Sequence, residues 1–81
     1  MQKVFNAKEE KILKIIGKKK IRITEITKQF YGRNVPENGA IMIASSVRQI
    51  ANKAKWKRLD WRIQGEGLGR RGRTVWKEQT H

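Results

Sequence analysis

The sequence has no cysteine, one proline and one histidine. Without cysteine the chain forms no disulfide, thiol-catalytic site or zinc knuckle, although this absence does not define the compartment. The apolar runs are shorter than the roughly 18 residues that a membrane span needs, and no signal peptide is visible. We therefore expect an intracellular protein in a reducing setting, with no membrane association.

Catalytic side chains are also scarce. The only histidine, His81, is the last residue, and the 7 acidic residues are scattered along the chain. Acid–base catalysis needs such groups in a paired arrangement. Neither metal-ligand spacing nor a Gly-Lys phosphate-binding loop is present. The sequence predicts a protein that is not an enzyme and that uses no metal and no cofactor.

Positive charge is in large excess. The 20 Lys and Arg residues oppose 7 Asp and Glu residues, which gives a formal net charge of +13. Such an excess repels itself in a compact fold unless a polyanion is nearby. Nucleic acid is the leading candidate partner, and an anionic membrane surface is the second. Because the basic residues are spread through segments with regular apolar patterns, the charge belongs to a folded surface.

The 81 residues predict one domain, 1–81, that begins with a helix. Asn6 and Glu9 resemble a capping box, which predicts helix one over 7–16. Gly17 is placed to end it. Residues 1–5 are expected to be a frayed tail.

A second helix follows a short strand. Residues 21–23 form a β-branched alternation that is typical of an edge strand. Thr24 is placed as the N-cap of helix two, which is predicted to run to about Phe30 and to end at Gly32. Pro36 fits at or just before the first turn of helix three.

Helix three is predicted over about 38–55. At 100° per residue its apolar and polar side chains separate onto opposite faces. The apolar face consists of Ala40, Ile43, Ala44, Val47, Ile50, Ala51 and Ala54. The opposite face consists of Met42, Ser45, Ser46, Gln49, Asn52 and Lys53, with Arg48 at its side.

The C-terminal part predicts a β-hairpin. Residues 59–63 alternate apolar and polar side chains, as a half-buried strand does. Glycines recur through 64–72, which predicts a long loop. Residues 74–76 resume strand character, and a polar tail follows from Lys77, with 78–81 frayed. At this spacing Trp61 and Trp76 are expected to build the core and brace the hairpin, rather than to stack on bases.

The order of elements resembles a winged helix-turn-helix domain of the α+β class, with three helices, a short edge strand and a C-terminal β-hairpin, the wing. The resemblance is carried by Ile23–Ile26, Tyr31–Gly32 and the hairpin from Leu59 to Trp76. The segment from Tyr31 to Arg48 is similar to small bacteriophage-encoded proteins of this type. The connection between helices two and three is longer than the tight turn of the bacterial repressor motif.

In winged helix proteins the third helix generally enters the major groove, and the wing contacts the backbone or the adjacent minor groove. The resemblance implies base readout by the polar face of helix three: Ser45, Ser46, Arg48, Gln49, Asn52 and Lys53. Glutamine and asparagine suit adenine, and arginine suits guanine.

The wing, about 64–73, carries Arg70, Arg71 and Arg73 among glycines, which suits a narrow minor groove or phosphates. Such Arg-Gly clusters also bind RNA. The candidate phosphate contacts are Thr24, Lys28, Arg33, Lys55, Lys57 and Arg58. Lys18–Lys20 and Arg62 are further basic residues that the nucleic-acid backbone could pass. For Lys18–Lys20, a solvated basic turn with no contact to nucleic acid is an equal interpretation.

The sequence therefore predicts a double-stranded DNA-binding protein, a small transcriptional regulator encoded by a bacteriophage. It would act in the cytoplasm of a bacterial or phage-infected cell, associated with the nucleoid, as a monomer or a homodimer on DNA. One alternative is an RNA-binding or architectural nucleic-acid protein. Another is a winged-helix module that binds a protein partner in a replication or host-takeover assembly.

Overall fold

A computed structural model describes residues 4–67 and 72–80. Within these ranges three helices pack on a three-stranded antiparallel sheet: α1 (Ala7–Ile16), β1 (Ile21–Arg22), α2 (Ile23–Tyr31), α3 (Gly39–Trp56), β2 (Trp61–Glu66) and β3 (Thr74–Gln79). The strand order is β1-β3-β2, so β1 is an edge strand and β2 and β3 form a hairpin. The predicted α+β architecture is confirmed. Across the described ranges, no helix is both long and apolar enough to cross a membrane.

Helix α1 has the predicted bounds because both of its ends are defined locally. The Glu9 N–H donates to Asn6 Oδ1 over 2.8 Å, and the Asn6 N–H donates to Glu9 Oε1 over 2.9 Å. This reciprocal pair is the predicted capping box. The helix ends at Gly17, whose φ of +54° is a conformation that glycine adopts readily.

The start of α2 differs from the prediction. Strand β1 ends at Arg22, and Ile23 is already the first helical residue, so Thr24 is not the N-cap. The Ile23 N–H donates to the Arg73 carbonyl over 2.9 Å. The hairpin therefore satisfies a backbone donor that a capping side chain would otherwise serve.

The core is built mainly from isoleucine. All three helices and the sheet contribute, and its buried members are Ile12, Ile16, Ile21, Ile23, Ile26, Ile43, Val47, Ile50, Ala54, Trp61 and Val75. Burying one such large aliphatic side chain stabilises a fold by about 1.5–3 kcal/mol. The core therefore supplies the main force that holds α3 against α1, α2 and the hairpin.

Both strands of the hairpin end later than predicted, and the first begins at Trp61 and not at Leu59. Strand β2 continues through Glu66, which pairs with Thr74, so 64–66 belong to the strand and not to the loop. Strand β3 continues to Gln79, which pairs with Trp61. The prediction of a tail from Lys77 is therefore wrong for 77–79, because these residues pair with β2.

The N-terminal tail is also partly ordered. The rings of Phe5 and Trp61 are stacked with centroids 5.8 Å apart. The prediction of a frayed tail is therefore wrong for Phe5.

An ion pair with a buried carboxylate joins α1 to α3. The Glu9 side chain is 1% exposed, and its Oε1 accepts from Lys53 Nζ over 2.6 Å. The other oxygen, Oε2, is buried without a hydrogen-bond partner among the described residues. The Lys53 side chain is 33% exposed. The buried carboxylate therefore depends on the pair more than the partly exposed Lys53 side chain does.

The C-terminus of α3 has a left-handed residue that is not glycine. Arg58 has a φ of +54°. The Leu59 N–H donates to the Ala54 carbonyl over 3.0 Å, which closes the end of the helix as in a Schellman motif. A side chain with a Cβ pays roughly 1–2 kcal/mol for this conformation.

We predict an asymmetry between the two partners of the ion pair. Lys53→Met should destabilise the domain by on the order of 3 kcal/mol, because it leaves a buried carboxylate without a counter-charge. Glu9→Gln should cost about 1 kcal/mol, because a neutral amide oxygen still accepts the Asn6 N–H. Urea unfolding measures both. A larger loss for Glu9→Gln than for Lys53→Met would contradict this account of the pair.

We also predict that Arg58→Gly stabilises the domain relative to Arg58→Ala by about 1 kcal/mol, since both variants remove the guanidinium and only alanine keeps the strained Cβ. In a domain of this size, that difference corresponds to a shift in Tm of roughly 4–8 °C. Thermal unfolding followed by circular dichroism measures it. Equal Tm values for the two variants would show that Arg58 is not strained.

Candidate nucleic-acid interface

Helix α3 turns one face away from the core. The exposed side chains on this outward face are Ile41, Met42, Ser45, Arg48, Gln49, Asn52, Lys55 and Trp56. Positions 45, 49, 52 and 56 follow one another along the centre of the face at helical spacing. Between Asn38 and Leu59 the sequence contains no Asp or Glu. The outward face therefore carries no negative charge from its own helix.

Four of the predicted base-reading residues lie on the outward face: Ser45, Arg48, Gln49 and Asn52. Their predicted exposure is confirmed. Gln49 and Asn52 are neighbours one turn apart, so their amide groups are available to adjacent positions on a bound partner.

Ser46 is placed differently from the prediction. It is 8% exposed and lies on the inner side of α3, near the angular positions of Ile43 and Ile50. Its polarity suggested the outer face, but its place along the helix directs it inward. The prediction that Ser46 lies on the exposed side of α3 is therefore wrong.

Lys53 is likewise directed away from the outward face. Its ammonium group bonds to Glu9 and lies 6.0 Å from the centroid of the Phe5 ring. The charge that the sequence assigned to base readout is thus neutralised within the fold. The prediction of an outward-facing Lys53 is wrong, because the carboxylate of α1 holds it.

A cleft of about 570 Å³ separates α3 from the hairpin. Its floor consists of core and small side chains: Ile23, Ala44, Val47, Ala51, Ile63, Gly65 and Val75. Its rim consists of exposed polar side chains: Ser45, Arg48, Gln64 and Arg73. One guanidinium therefore stands on each side of the cleft, an arrangement that suits an anion passing between them.

The position of Arg73 depends on Gly65. Gly65 pairs with Val75, two residues after Arg73, and a Cβ built at Gly65 would overlap the Arg73 guanidinium. The glycine therefore gives the Arg73 side chain room to lie over β2 toward the cleft. A larger side chain at position 65 would force the flexible Arg73 side chain to move, because within a strand glycine permits such close approaches.

The hairpin tip is only partly described. Arg70 and Arg71, two of the three predicted wing arginines, lie outside the described residues. Arg73 lies within them, is exposed, and precedes β3 directly. Glu66, at the end of β2, is also exposed.

The six predicted phosphate-contacting residues are all exposed, in two groups: Thr24, Lys28 and Arg33 around α2, and Lys55, Lys57 and Arg58 at the end of α3. Thr24 and Lys28 line a smaller cleft together with Pro36 and Glu37. In the second group, Lys55 belongs to the outward face, and Lys57 and Arg58 follow the helix directly. Lys57 and Arg58 therefore extend the positive charge of the outward face beyond the end of α3.

Two further basic positions already have contacts within the fold. The Arg62 guanidinium donates to the carbonyls of Leu59 and Trp61 over 2.6 and 2.7 Å, so it holds the turn before β2. Of Lys18–Lys20, Lys20 places its ammonium 4.5 Å from the centroid of the Trp76 ring. Both groups therefore contribute to the structure of the sheet region.

The three tryptophans occupy different environments. Trp61 is buried in the core, and Trp76 is half-buried in the hairpin, as the spacing predicts. Trp56 is 74% exposed and lies at the end of the outward face. The sequence analysis assigned no role to Trp56, and its position four residues after Asn52 on α3 was the signal that could have placed it on the outward face.

The apolar members of the outward face were not assigned to the site either. Ile41 and Met42 are 37% and 38% exposed at its N-terminal end. Apolar groups of this kind suit the methyl group of thymine as well as a protein partner.

Comparisons of the chain with protein-family models, curated proteins and solved structures give no match.

Proposed function

We propose that this chain is a winged helix-turn-helix protein that binds double-stranded DNA. In this proposal α3 lies in the major groove, and the hairpin lies against the neighbouring backbone or minor groove. The order of helices and strands and the antiparallel sheet β1-β3-β2 are compatible with such a domain. The observation that carries the proposal is the outward face of α3, which is exposed and free of acidic residues.

The chemistry of that face favours a DNA duplex. Gln49 and Asn52 each offer a donor and an acceptor, which pair with the N6 and N7 groups of adenine in the major groove. Arg48 suits the O6 and N7 acceptors of guanine or a phosphate. Ser45 is small, so it lets the helix backbone come close to the base edges.

The cleft gives the backbone of the duplex a place to pass. Arg48 on one side and Arg73 on the other would hold phosphates between α3 and the hairpin, which positions the helix without reading sequence. The exposed cations at the end of α3 would add contacts along the same strand. The net charge of +13 supports association with a polyanion such as DNA.

For the biological role, we propose a small transcriptional regulator of bacteriophage type that acts in the cytoplasm, on the nucleoid of a bacterial or infected cell. This part of the proposal derives from the resemblance around Tyr31 to Arg48 and from the capacity for base readout. Selection of bound sequences from a random duplex pool tests it. Recovery of one recurring motif supports a regulator, whereas an unselective pool indicates an architectural protein.

We predict that Gln49→Ala and Asn52→Ala each weaken binding to the selected site by about 1–3 kcal/mol, since each removes a base contact. Binding to random duplex should change little, because phosphates supply that affinity. Fluorescence anisotropy with labelled duplexes measures both affinities. The matched control is Gln29→Ala, which removes an exposed glutamine from α2. An equal loss on both duplexes would mean that these side chains read no bases.

We predict that Arg48→Ala and Arg73→Ala each reduce the slope of log K against log salt by about 1, since each removes one phosphate contact. Lys14→Ala is the control, because it removes an exposed charge from α1, which packs against the inner side of α3. Titrations at several salt concentrations give the slopes. If Lys14→Ala lowers the slope as much as Arg48→Ala and Arg73→Ala do, the cleft is not the phosphate site. Tighter binding to structured RNA than to duplex DNA would favour the RNA-binding alternative.

A further inference from the structure

Trp56 is a large aromatic side chain that the fold leaves in water. It is 74% exposed, although tryptophan is highly buried on average. The other two tryptophans have structural contacts, Trp61 with Phe5 and Trp76 with Lys20. Among the described residues, Trp56 belongs neither to the core cluster nor to its partly buried surroundings. Packing in the core therefore does not explain why a tryptophan occupies this position.

The position of Trp56 links it to the outward face. It follows Asn52 by four residues and Gln49 by seven, so the three side chains lie along one strip of α3. The helix has 18 residues and is about 27 Å long at 1.5 Å per residue. The major groove is only about 12 Å wide. If the middle of α3 reads the groove, its C-terminal end lies at or beyond the sugar–phosphate backbone.

The surroundings of Trp56 are cationic and have a defined backbone. Lys55, Lys57 and Arg58 are all exposed, and the first acidic residue after them is Asp60. The Arg58 N–H donates to the Lys55 carbonyl over 3.2 Å, so the chain turns immediately after the indole. An exposed indole with cationic neighbours in the chain is the combination that binds a base together with its phosphate.

We propose that Trp56 stacks on an unpaired nucleobase, so that this protein prefers a duplex with a single-stranded extension to a fully paired one. An indole stacks through its ring face, and the faces of paired bases are hidden within the duplex. An unpaired base in an extension presents a free face beside the duplex, whereas a blunt duplex offers only the outer faces of its two end pairs. The inference depends on the proposed function, because α3 must occupy the duplex for Trp56 to reach the extension.

The test compares two DNAs that share one duplex sequence, one blunt-ended and one with a short single-stranded extension. Stacking of one base contributes about a 5- to 150-fold gain in affinity by alanine substitution. The wild-type protein should therefore bind the extended duplex more tightly by a factor in this range. Trp56→Ala and Trp56→Leu should abolish that preference, and Trp56→Phe should keep part of it, because only phenylalanine retains a ring face.

Two readouts separate stacking from a general loss of contact. The extended duplex should quench the tryptophan fluorescence of the wild-type protein more than the blunt duplex does. This difference in quenching should be absent from Trp56→Phe. Val4→Ala, which removes an exposed apolar side chain outside α3, is the control and should leave the ratio of the two affinities unchanged. Because the Trp56 side chain is largely exposed, its variants are expected to fold, and their thermal unfolding checks this.

Several results would overturn the inference. Equal wild-type affinity for the two DNAs would overturn it while leaving the proposed function standing. A Trp56→Ala variant that weakens both DNAs by the same factor would also overturn it, since Trp56 would then contact only the duplex. Binding to vesicles containing phosphatidylglycerol that needs Trp56, with no preference between the DNAs, would assign the indole to a membrane surface instead. Failure of both DNAs to bind would overturn the proposed function and this inference together.

Discussion

The burial of one side of α3 is the constraint on which the rest of the structure depends. Ile43, Val47, Ile50 and Ala54 are all buried against the other helices and the hairpin. Their burial defines the rotation of the helix about its axis. A helix rotated by one residue would turn by 100° and expose a different set of side chains. The outward face is therefore the complement of the core, and the candidate interface is determined by apolar packing.

The distribution of charge follows from the same packing. The chain has few acidic residues, and the one buried carboxylate described above, that of Glu9, neutralises Lys53 inside the fold. The remaining cations near the outward face stay available to a partner. Repulsion among them is a cost to the isolated domain, which association with a polyanion would offset. The sheet then positions one further cation, Arg73, across the cleft from α3, because Gly65 leaves space for its side chain.

Prediction from the sequence succeeded where the deciding contacts are local, and with the exception of Ser46 it failed where they are distant. The bounds of α1 depend on the capping box and on Gly17, all within the helix or next to it. The length of the hairpin depends on pairing between strands, so propensity alone placed the ends of both strands too early. The assignment of Ser46 failed because residue type was preferred to angular position. The prediction that Lys53 faces outward failed because its ion-pair partner, Glu9, lies 44 residues away in the chain.

The sequence by itself determined the class of the fold, the three helices, the hairpin, the excess of positive charge and the acid-free stretch of α3. These features depend on composition and on spacings of two to four residues, which the chain encodes directly. Only the tertiary structure decided which polar residues of α3 face outward, which tryptophan remains exposed, and which arginines flank a common cleft. Those outcomes require elements distant in the chain to pack together, and their geometry is set by the shape of the shared core.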